Sequence, residues 1–352
     1  LHFTIHSFPT RRSSDLSEPN ALNRPDVPAE LISFLREHET FYIVGHVEPD
    51  GDCLASSLAL ASFLERTMDK RTRLYNVGPF DRREIARLSD RFQARIDPND
   101  RRRDPNPAAI ILDCTGPDRV GELRADLQGL PVAVIDHHAT SASYGDARFV
   151  VRTAAATCYL IYVVMERLGG TMTQEEAELL LFGIATDTGY FRHSEPDQAD
   201  LFAAVAELMA AGASPRKAHA QMFGGHSFES RKLLATLISR AEPIGGGSGV
   251  ITWETREDTR RYGKQSRDSD TLYQLLFSID GLRAAALVRE ESESTVSGSL
   301  RSIDSLDVSA IAASFGGGGH KRAAGFTTEL SLDEALDEVR SRIEDALHRS
   351  AT

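Results

Sequence analysis

Four short segments gather most of the residues able to do acid, base or metal chemistry: HVEPDGD at 46–52, ILDCT at 111–115, VIDHH at 134–138 and GIATDTG at 183–189. Each alone has a plainer reading. PDGD is a polar turn with a helix N-cap from Asp52, and an acid after ILL-type residues is a cap. Together they supply His46, Asp50, Asp52, Asp113, His137 and Asp187, too many charged groups for one pocket without cations, because clustered carboxylates repel. Imidazole with carboxylate suits a borderline-hard divalent ion such as manganese. Six ligands with one shared acid fit two metals about 3.5–4 Å apart, the arrangement used for in-line phosphoryl displacement. In VIDHH, successive residues of an extended chain point opposite ways, so His137 and His138 take different jobs.

A fifth segment, FGGGGHKRAAG at 315–325, follows SLRS at 299–302. Its glycines, Gly316, Gly317, Gly318 and Gly319, let backbone N–H groups approach an anion. His320, Lys321 and Arg301 add charge-assisted contacts to phosphate. A flexible linker is the rival reading, but linker glycines are usually diluted with serine rather than followed by a His-Lys-Arg cluster. An anion-binding loop is expected.

These segments need elements to hold them. FYIVG at 41–45, AIIL at 109–112 and VAVI at 132–135 read as buried strands, and 54–66, 154–168 and 174–184 as helices. Strands alternating with helices predict an α/β layered domain with a mostly parallel sheet, whose ligands bind at the carboxyl ends of the strands. After Glu195 the composition shifts. Residues 198–211 and 227–240 read as helices, 245–249 as a glycine turn, 250–254, 283–289 and 295–300 as strands, and 271–278 as a helix. The expected layout is a catalytic domain at 17–195, a helical linker at 196–241 and a smaller α+β substrate-binding domain at 242–352. Arg101 to Asp104 reads as a solvated charge run in a proline-containing loop.

The chain has 352 residues and a net charge of −12, which disfavours broad duplex binding through a basic surface. Acids that gather metals nonetheless become an anion site once loaded. Length suggests two domains. No apolar run reaches membrane-spanning length. Cys53, Cys114 and Cys158 form neither a disulfide framework nor a CxxC pattern, which favours a reducing cytoplasm. Residues 1–16 are set aside: 7–16, SFPTRRSSDL, reads like a translated sequencing-adapter oligonucleotide joined to a true start near Ser17, the alternative being a disordered tail.

HVEPDGD, ILDCT, VIDHH and GIATDTG in this order resemble the four motifs of the DHH phosphoesterase family. SLRS followed by FGGGGHKRAAG resembles the C-terminal DHH-associated domain of the subgroup with RecJ-type exonucleases and NrnA-type oligoribonuclease and 3′-phosphoadenosine-5′-phosphate (pAp) phosphatases. The likeness spans about residues 31–347, and chain length favours the NrnA type. It implies a manganese-dependent enzyme that degrades very short RNA to mononucleotides and converts pAp to AMP. It also implies that His46 and Asp50 hold one ion, Asp52, His137 and Asp187 the other, and that Asp113 bridges. Asp136 would orient an imidazole, His138 contact the scissile phosphate, and Arg301, His320 and the 316–319 backbone bind the rest of the substrate.

The metals would lower the pKa of a shared water, and a cleft between the domains would measure substrate length. Long duplexes would be excluded, and a homodimer is common in the family. Ala55-Ser56 and Ser141 depart from the family's usual Gly-Ser and Asn without touching an expected ligand. Rival readings are a phosphodiesterase of linear or cyclic dinucleotides, a pyrophosphatase, which the GGGGH segment disfavours, and a non-catalytic nucleotide sensor.

Overall fold

The computed structural model describes residues 24–114, 116–138, 144–303 and 306–349. The tail at 1–16, Thr115 and Ser141 lie outside them. The chain forms two compact units that divide between Gly224 and Gly225.

The first unit runs α1 (Ala29–Glu37), β1 (Thr40–Val44), α2 (Gly51–Met68), β2 (Arg71–Tyr75), α3 (Pro98–Arg103), β3 (Pro107–Leu112), α4 (Leu123–Asp126), β4 (Val132–Asp136), β5 (Ala147–Val150), α5 (Thr157–Leu168), α6 (Gln174–Asp187), α7 (Ala199–Ala210) and α8 (Pro215–Phe223). Its five strands lie in the order β2-β1-β3-β4-β5, all parallel. The three inner strands β1, β3 and β4 are almost wholly apolar because both their faces are covered. Phe41, Ile43, Ile110, Leu112 and Ile135 face one core with residues of α1, α2, α5, α6 and α7. The alternate residues Tyr42, Val44, Ala109, Ile111 and Val134 face a second core with Val120, Leu123 and Leu127. A strand's two-residue period thus divides each sequence run between two layers.

The strand order places β2 and β3 on opposite sides of β1. Such a reversal opens a crevice at the carboxyl ends of the two diverging strands, here the ends of β1 and β3. Two glycines draw the helices in around that crevice. A Cβ on Gly51 would lie 2.5 Å from the Thr186 hydroxyl, and one on Gly183 2.2 Å from the Cys158 sulfur. The start of α2, the start of α5 and the end of α6 therefore meet at closest backbone approach.

The second unit runs α9 (Phe228–Arg240), β6 (Glu242–Ile244), β7 (Gly249–Glu254), α10 (Arg256–Tyr262), α11 (Ser269–Leu276), β8 (Ala284–Glu290), β9 (Val296–Ser302), α12 (Ser309–Ala313), β10 (Gly318–His320), β11 (Ala323–Thr328) and α13 (Leu332–Arg349). Its six strands lie in the order β10-β11-β9-β8-β7-β6, with only β7 and β8 parallel. Ala335, Val339, Ile343 and Leu347 of α13 pack on one face with Ile251, Ala286 and Leu300. Leu233 and Leu237 of α9 and Leu272 and Leu276 of α11 pack with Val250, Ala285 and Leu287 of the sheet. Of the segment 196–241, α7 and α8 belong to the first unit and α9 to the second.

Two expectations need correction. Arg101 to Asp104 is not simply a solvated run: residues 98–103 form α3, and Asp104 is 8% exposed. Asp104 accepts from Tyr42 Oη at 2.9 Å and Arg73 Nε at 2.8 Å, and the Arg73 guanidinium holds its carboxyl below the usual range. Its partners come from β1 and β2, so no local pattern announced the burial. Asp104→Ala would strand the Tyr42 hydroxyl and is expected to cost about 2–4 kcal/mol at neutral pH. A carboxyl whose pKa is lowered by folding stabilises above its unfolded pKa and loses that contribution as pH falls through the folded value. The gap between the two proteins in urea melts should therefore narrow in acid.

The second correction concerns the glycine run. Gly318 to His320 is an edge strand hydrogen-bonded to β11, not only a loop. A Cβ on Gly317 would lie 2.3 Å from the Gly325 carbonyl oxygen, and one on Gly319 2.6 Å from that of Ala323. Close strand pairing accounts for those two glycines, independently of any anion.

Candidate metal-dependent active site

Asp113 follows β3 in a left-handed conformation, φ 59°, which favours glycine and marks a site where structure outweighs strain. Its carboxylate is 2% exposed. Oδ2 lies 3.4 Å from His46 Nε2 and Oδ1 3.5 Å from His137 Nε2. Oδ1 also accepts from the Thr157 hydroxyl at 2.9 Å. One acid thus faces imidazoles from the ends of β1 and β4. Asp187, the last residue of α6, places Oδ2 3.3 Å from His137 Nε2. Asp50 stands 3.9 Å from His46 Nε2.

Asp50, rather than Asp52, caps α2, accepting from the Cys53 amide at 3.1 Å. Asp52 is fully buried and caps a different helix. Its two oxygens accept from the Thr157 amide at 2.6 Å and the Cys158 amide at 2.8 Å, at the start of α5. A carboxylate has about four lone-pair sites, so acceptance from α5 leaves Asp52 able to face His137 and Asp187, its neighbours in the cluster.

Both imidazoles nearest Asp113 are oriented by backbone. His46 Nδ1 lies 2.8 Å from the Val47 carbonyl and His137 Nδ1 3.1 Å from the Ala154 carbonyl. A carbonyl only accepts, so each Nδ1 carries hydrogen and each Nε2 is left to face the acids. His137 Nε2 is buried with no hydrogen-bond partner. His138 takes the other direction, its Nδ1 lying 2.7 Å from Asp136 Oδ1.

The electrostatics call for added positive charge. Burial, then Asp113 and Asp187, pushes Asp52 well above the usual carboxylate range. Burial, with Asp113 and Asp50 adding to it, raises Asp187 to about 6. Although burial opposes its protonation, His137 is raised to about 10 by Asp113, Asp52 and Asp187. Burial also works to raise Asp113, but His137 and His46 hold it below the usual range. Two acids that resist ionising, Asp52 and Asp187, beside imidazoles that attract protons make a pocket that a cation would stabilise. With the orphaned Nε2, this donor set fits a divalent metal, and the nitrogen and oxygen ligands suit manganese. Donor atoms of Asp52, His137 and Asp187, of Asp113, His137 and His138, and of His46, Cys53 and Asp113 each lie within 4.8 Å of one another.

Every residue expected at the metal centre from the first four motifs lies in the first unit, at or beside this crevice. Thr157, Cys53 and Asn76 were missed. Asn76 is 1% exposed, and its amide donates to the His46 carbonyl at 2.9 Å and accepts from the Gly78 amide at 2.8 Å, so it positions the β1 loop. None belongs to a pattern that sequence alone distinguishes from a turn or helix start.

In the second unit, Arg301 sits on β9 with its guanidinium 5.2 Å from the Tyr273 ring. His320 pairs with Ala323 of β11, and Ala323 pairs with Arg301. Residues directly opposite in a sheet share a face, so His320 and Arg301 flank a small alanine, about 10 Å apart at two strand spacings. Gly316, Gly318, Gly319, His320 and Lys321 are exposed, whereas Gly317 is packed against β11.

The sequence matches the DHH family N-terminal domain over residues 40–184 and the DHHA1 domain over 259–348. The chain belongs to the DHH family and is a phosphoesterase. It is 30% identical to the bifunctional oligoribonuclease and PAP phosphatase NrnA of Thermus thermophilus, over 95% of this chain and 97% of that protein. It is 26% identical to the protein of the same name from Bacillus subtilis, over 90% and 97% respectively. An exopolyphosphatase-related protein from Bacteroides fragilis shares the fold, with a TM-score of 0.72 and 22% identity over 91% of this chain and 94% of that one. Among the described residues, no helix is long and apolar enough to cross a membrane.

Proposed function

We propose that this protein is a manganese-dependent hydrolase that degrades very short single-stranded RNA to mononucleotides and dephosphorylates pAp to AMP. The observation that carries the reading is the convergence of His46, Asp50, Asp52, His137 and Asp187 around the Asp113 carboxylate, with the buried His137 Nε2 facing two carboxylates and making no hydrogen bond. The relatives named as NrnA, matched along nearly their full length, support the substrate classes.

His46 and Asp50 would hold one ion, Asp52, His137 and Asp187 a second, and Asp113 both. When bound, the ions supply Lewis acidity toward phosphoryl oxygens and a water acidic enough to attack near neutral pH. The chain's own residues do the rest. Asp136 holds His138 Nδ1, which fixes the ring beside Asp113 and leaves Nε2 for the substrate, where the imidazole would stabilise charge gathering on the phosphoryl oxygens. Backbone carbonyls keep His46 and His137 from swinging away. Arg301, Lys321 and His320, beside the exposed glycine backbone at 318–319, would bind a second phosphate or a sugar edge of the substrate, whereas the N–H groups of Gly316 and Gly317 are already donated to the Ala313 and Ala312 carbonyls.

Arg301→Ala is expected to raise KM for pAp about 10–100-fold with a smaller change in kcat, since it removes binding shared by ground and transition states. Steady-state kinetics would show this, and a pure kcat defect would remove Arg301 from substrate binding. The assignment itself is tested by incubating RNA di- to pentanucleotides, pAp, pApA, pGpG and pyrophosphate with manganese, magnesium or chelator. Manganese-dependent release of mononucleotides, and of phosphate from pAp, is the expected result. Pyrophosphate hydrolysis alone, or nucleotide binding without turnover, would overturn it.

A further inference from the structure

One cation at the rim of the acid and imidazole cluster has no task in the hydrolytic reading. Arg82 places Nη1 4.0 Å from Asp50 Oδ2, and its side chain is 57% exposed. Asp50 turns its other oxygen inward: Oδ1 accepts from the Cys53 amide and faces His46 Nε2. The guanidinium therefore lies on the outer side of an expected metal ligand. It is too distant for a hydrogen bond to that ligand, and much of it faces solvent. Among the described residues, Arg82 is the arginine that pairs with an expected ligand of the centre.

The loop that presents Arg82 is fixed at both ends. At its start, Asn76 accepts from the Gly78 amide at 2.8 Å, and the Gly78 carbonyl accepts from the Glu48 amide at 3.0 Å, which ties the loop to the turn carrying His46 and Asp50. At its far end Ile85 is fully buried, the Glu84 carbonyl accepts from Gln221 Nε2 of α8 at 3.0 Å, and Arg83 donates to the Gly224 carbonyl just past α8. The two neighbouring arginines thus divide their work, Arg83 holding the loop on α8 and Arg82 facing the centre. A cation on a backbone already held in place loses less freedom when it meets an anion.

Resting on the phosphoesterase reading above, we propose that Arg82 is a specificity-determining residue that binds the phosphate under attack and favours a terminal phosphomonoester over an internal phosphodiester. The two proposed substrate classes differ at that phosphate. A diester offers two non-bridging oxygens that share one negative charge, and its remaining oxygen carries a second nucleoside. The monoester of pAp offers three such oxygens and close to two charges at neutral pH. The added oxygen and the added charge are what a guanidinium reads. Its attraction to a dianion is about twice that to a monoanion at the same distance, and its planar fork can take two phosphoryl oxygens together. Arg301, Lys321 and His320 serve the remainder of the substrate and do not make this distinction.

The test compares pAp with an RNA dinucleotide lacking terminal phosphates, on the full chain with manganese, in wild type, Arg82→Gln and Arg82→Lys. In Arg82→Gln, kcat/KM for pAp should fall at least about 10-fold further than for the dinucleotide, and Arg82→Lys should recover part of that difference by keeping the charge without the fork. Inorganic phosphate, which has the extra oxygen and charge, should bind the manganese-loaded Arg82→Gln protein about 10-fold more weakly in calorimetry, while manganese affinity changes less than about 3-fold. Equal losses on both substrates, or an unchanged phosphate affinity, would overturn the inference and leave the phosphoesterase reading standing. A loss of manganese affinity that matches the loss of turnover would also overturn it, making Arg82 a support for Asp50. Phosphate binding that depends on Arg82 in a protein that turns over neither nucleotide would overturn the proposed substrates, and the preference with them, leaving only the anion contact.

Discussion

Asp113→Ala is expected to reduce turnover of a short RNA on the order of 1,000-fold or more at saturating manganese, the scale of losing an interaction made by a bridging metal ligand. Asp113 is the carboxylate that stands within 3.5 Å of both His46 Nε2 and His137 Nε2. The other acids reach one side only: Asp50 faces His46, and Asp187 faces His137. Loss of any of these should weaken one ion. Loss of Asp113 should separate the two. The check is kcat together with the rise in melting temperature on adding manganese. Both should collapse in the variant while its far-ultraviolet circular dichroism matches wild type. A variant that retains wild-type turnover would remove Asp113 from the bridging position.

The second large effect comes from a residue with no chemistry of its own. Gly183→Val would set a branched side chain where even a Cβ lies 2.2 Å from the Cys158 sulfur and 3.1 Å from Asp52 Oδ1. Both neighbours are fully buried, so α6 must retreat from α2 and α5. The expected cost is about 3 kcal/mol, toward the top of the range for overpacked cores. For a unit of this size that lowers the melting temperature by roughly 6–12 °C. Turnover should fall as well, at temperatures where the variant is still folded, because the displaced atoms belong to Asp52 and to the α6 end that carries Asp187. Gly183→Ala should move both quantities in the same direction by less. Thermal melts and kcat measured side by side decide it: wild-type values for both would mean that the helices have slack the close approach does not suggest.

Much of the first unit was legible because its signals are local. The apolar runs before Gly45, Asp113 and Asp136 alternate between two cores, and such runs mark strands wherever both faces are covered. The acids and imidazoles follow those runs directly, so their placement at strand ends needed no knowledge of strand order. Edge strands were harder. β2 and β5 carry polar residues, Arg71, Thr72 and Arg73 in one and Arg148 in the other, and β10 is nearly all glycine. Their status depends on a neighbouring strand and not on their own composition.

By itself, then, the sequence determined which groups would be available and on what kind of element each would stand. It placed acids and imidazoles after buried strands and at a helix end, in numbers that would suit cations. Only the tertiary structure decided their division of labour. Asp50 caps α2, the part that the plain turn reading of PDGD gives to Asp52, and Asp52 instead caps α5, more than a hundred residues away. Asp104 is buried by partners on two strands, and Cys53 meets His46 and Asp113 because β1 and β3 are neighbours in the sheet. The physical reason is common to all of these. Propensity and periodicity act over a few residues, whereas a carboxylate's partner is set by which strand lies beside it and how closely two helices can approach.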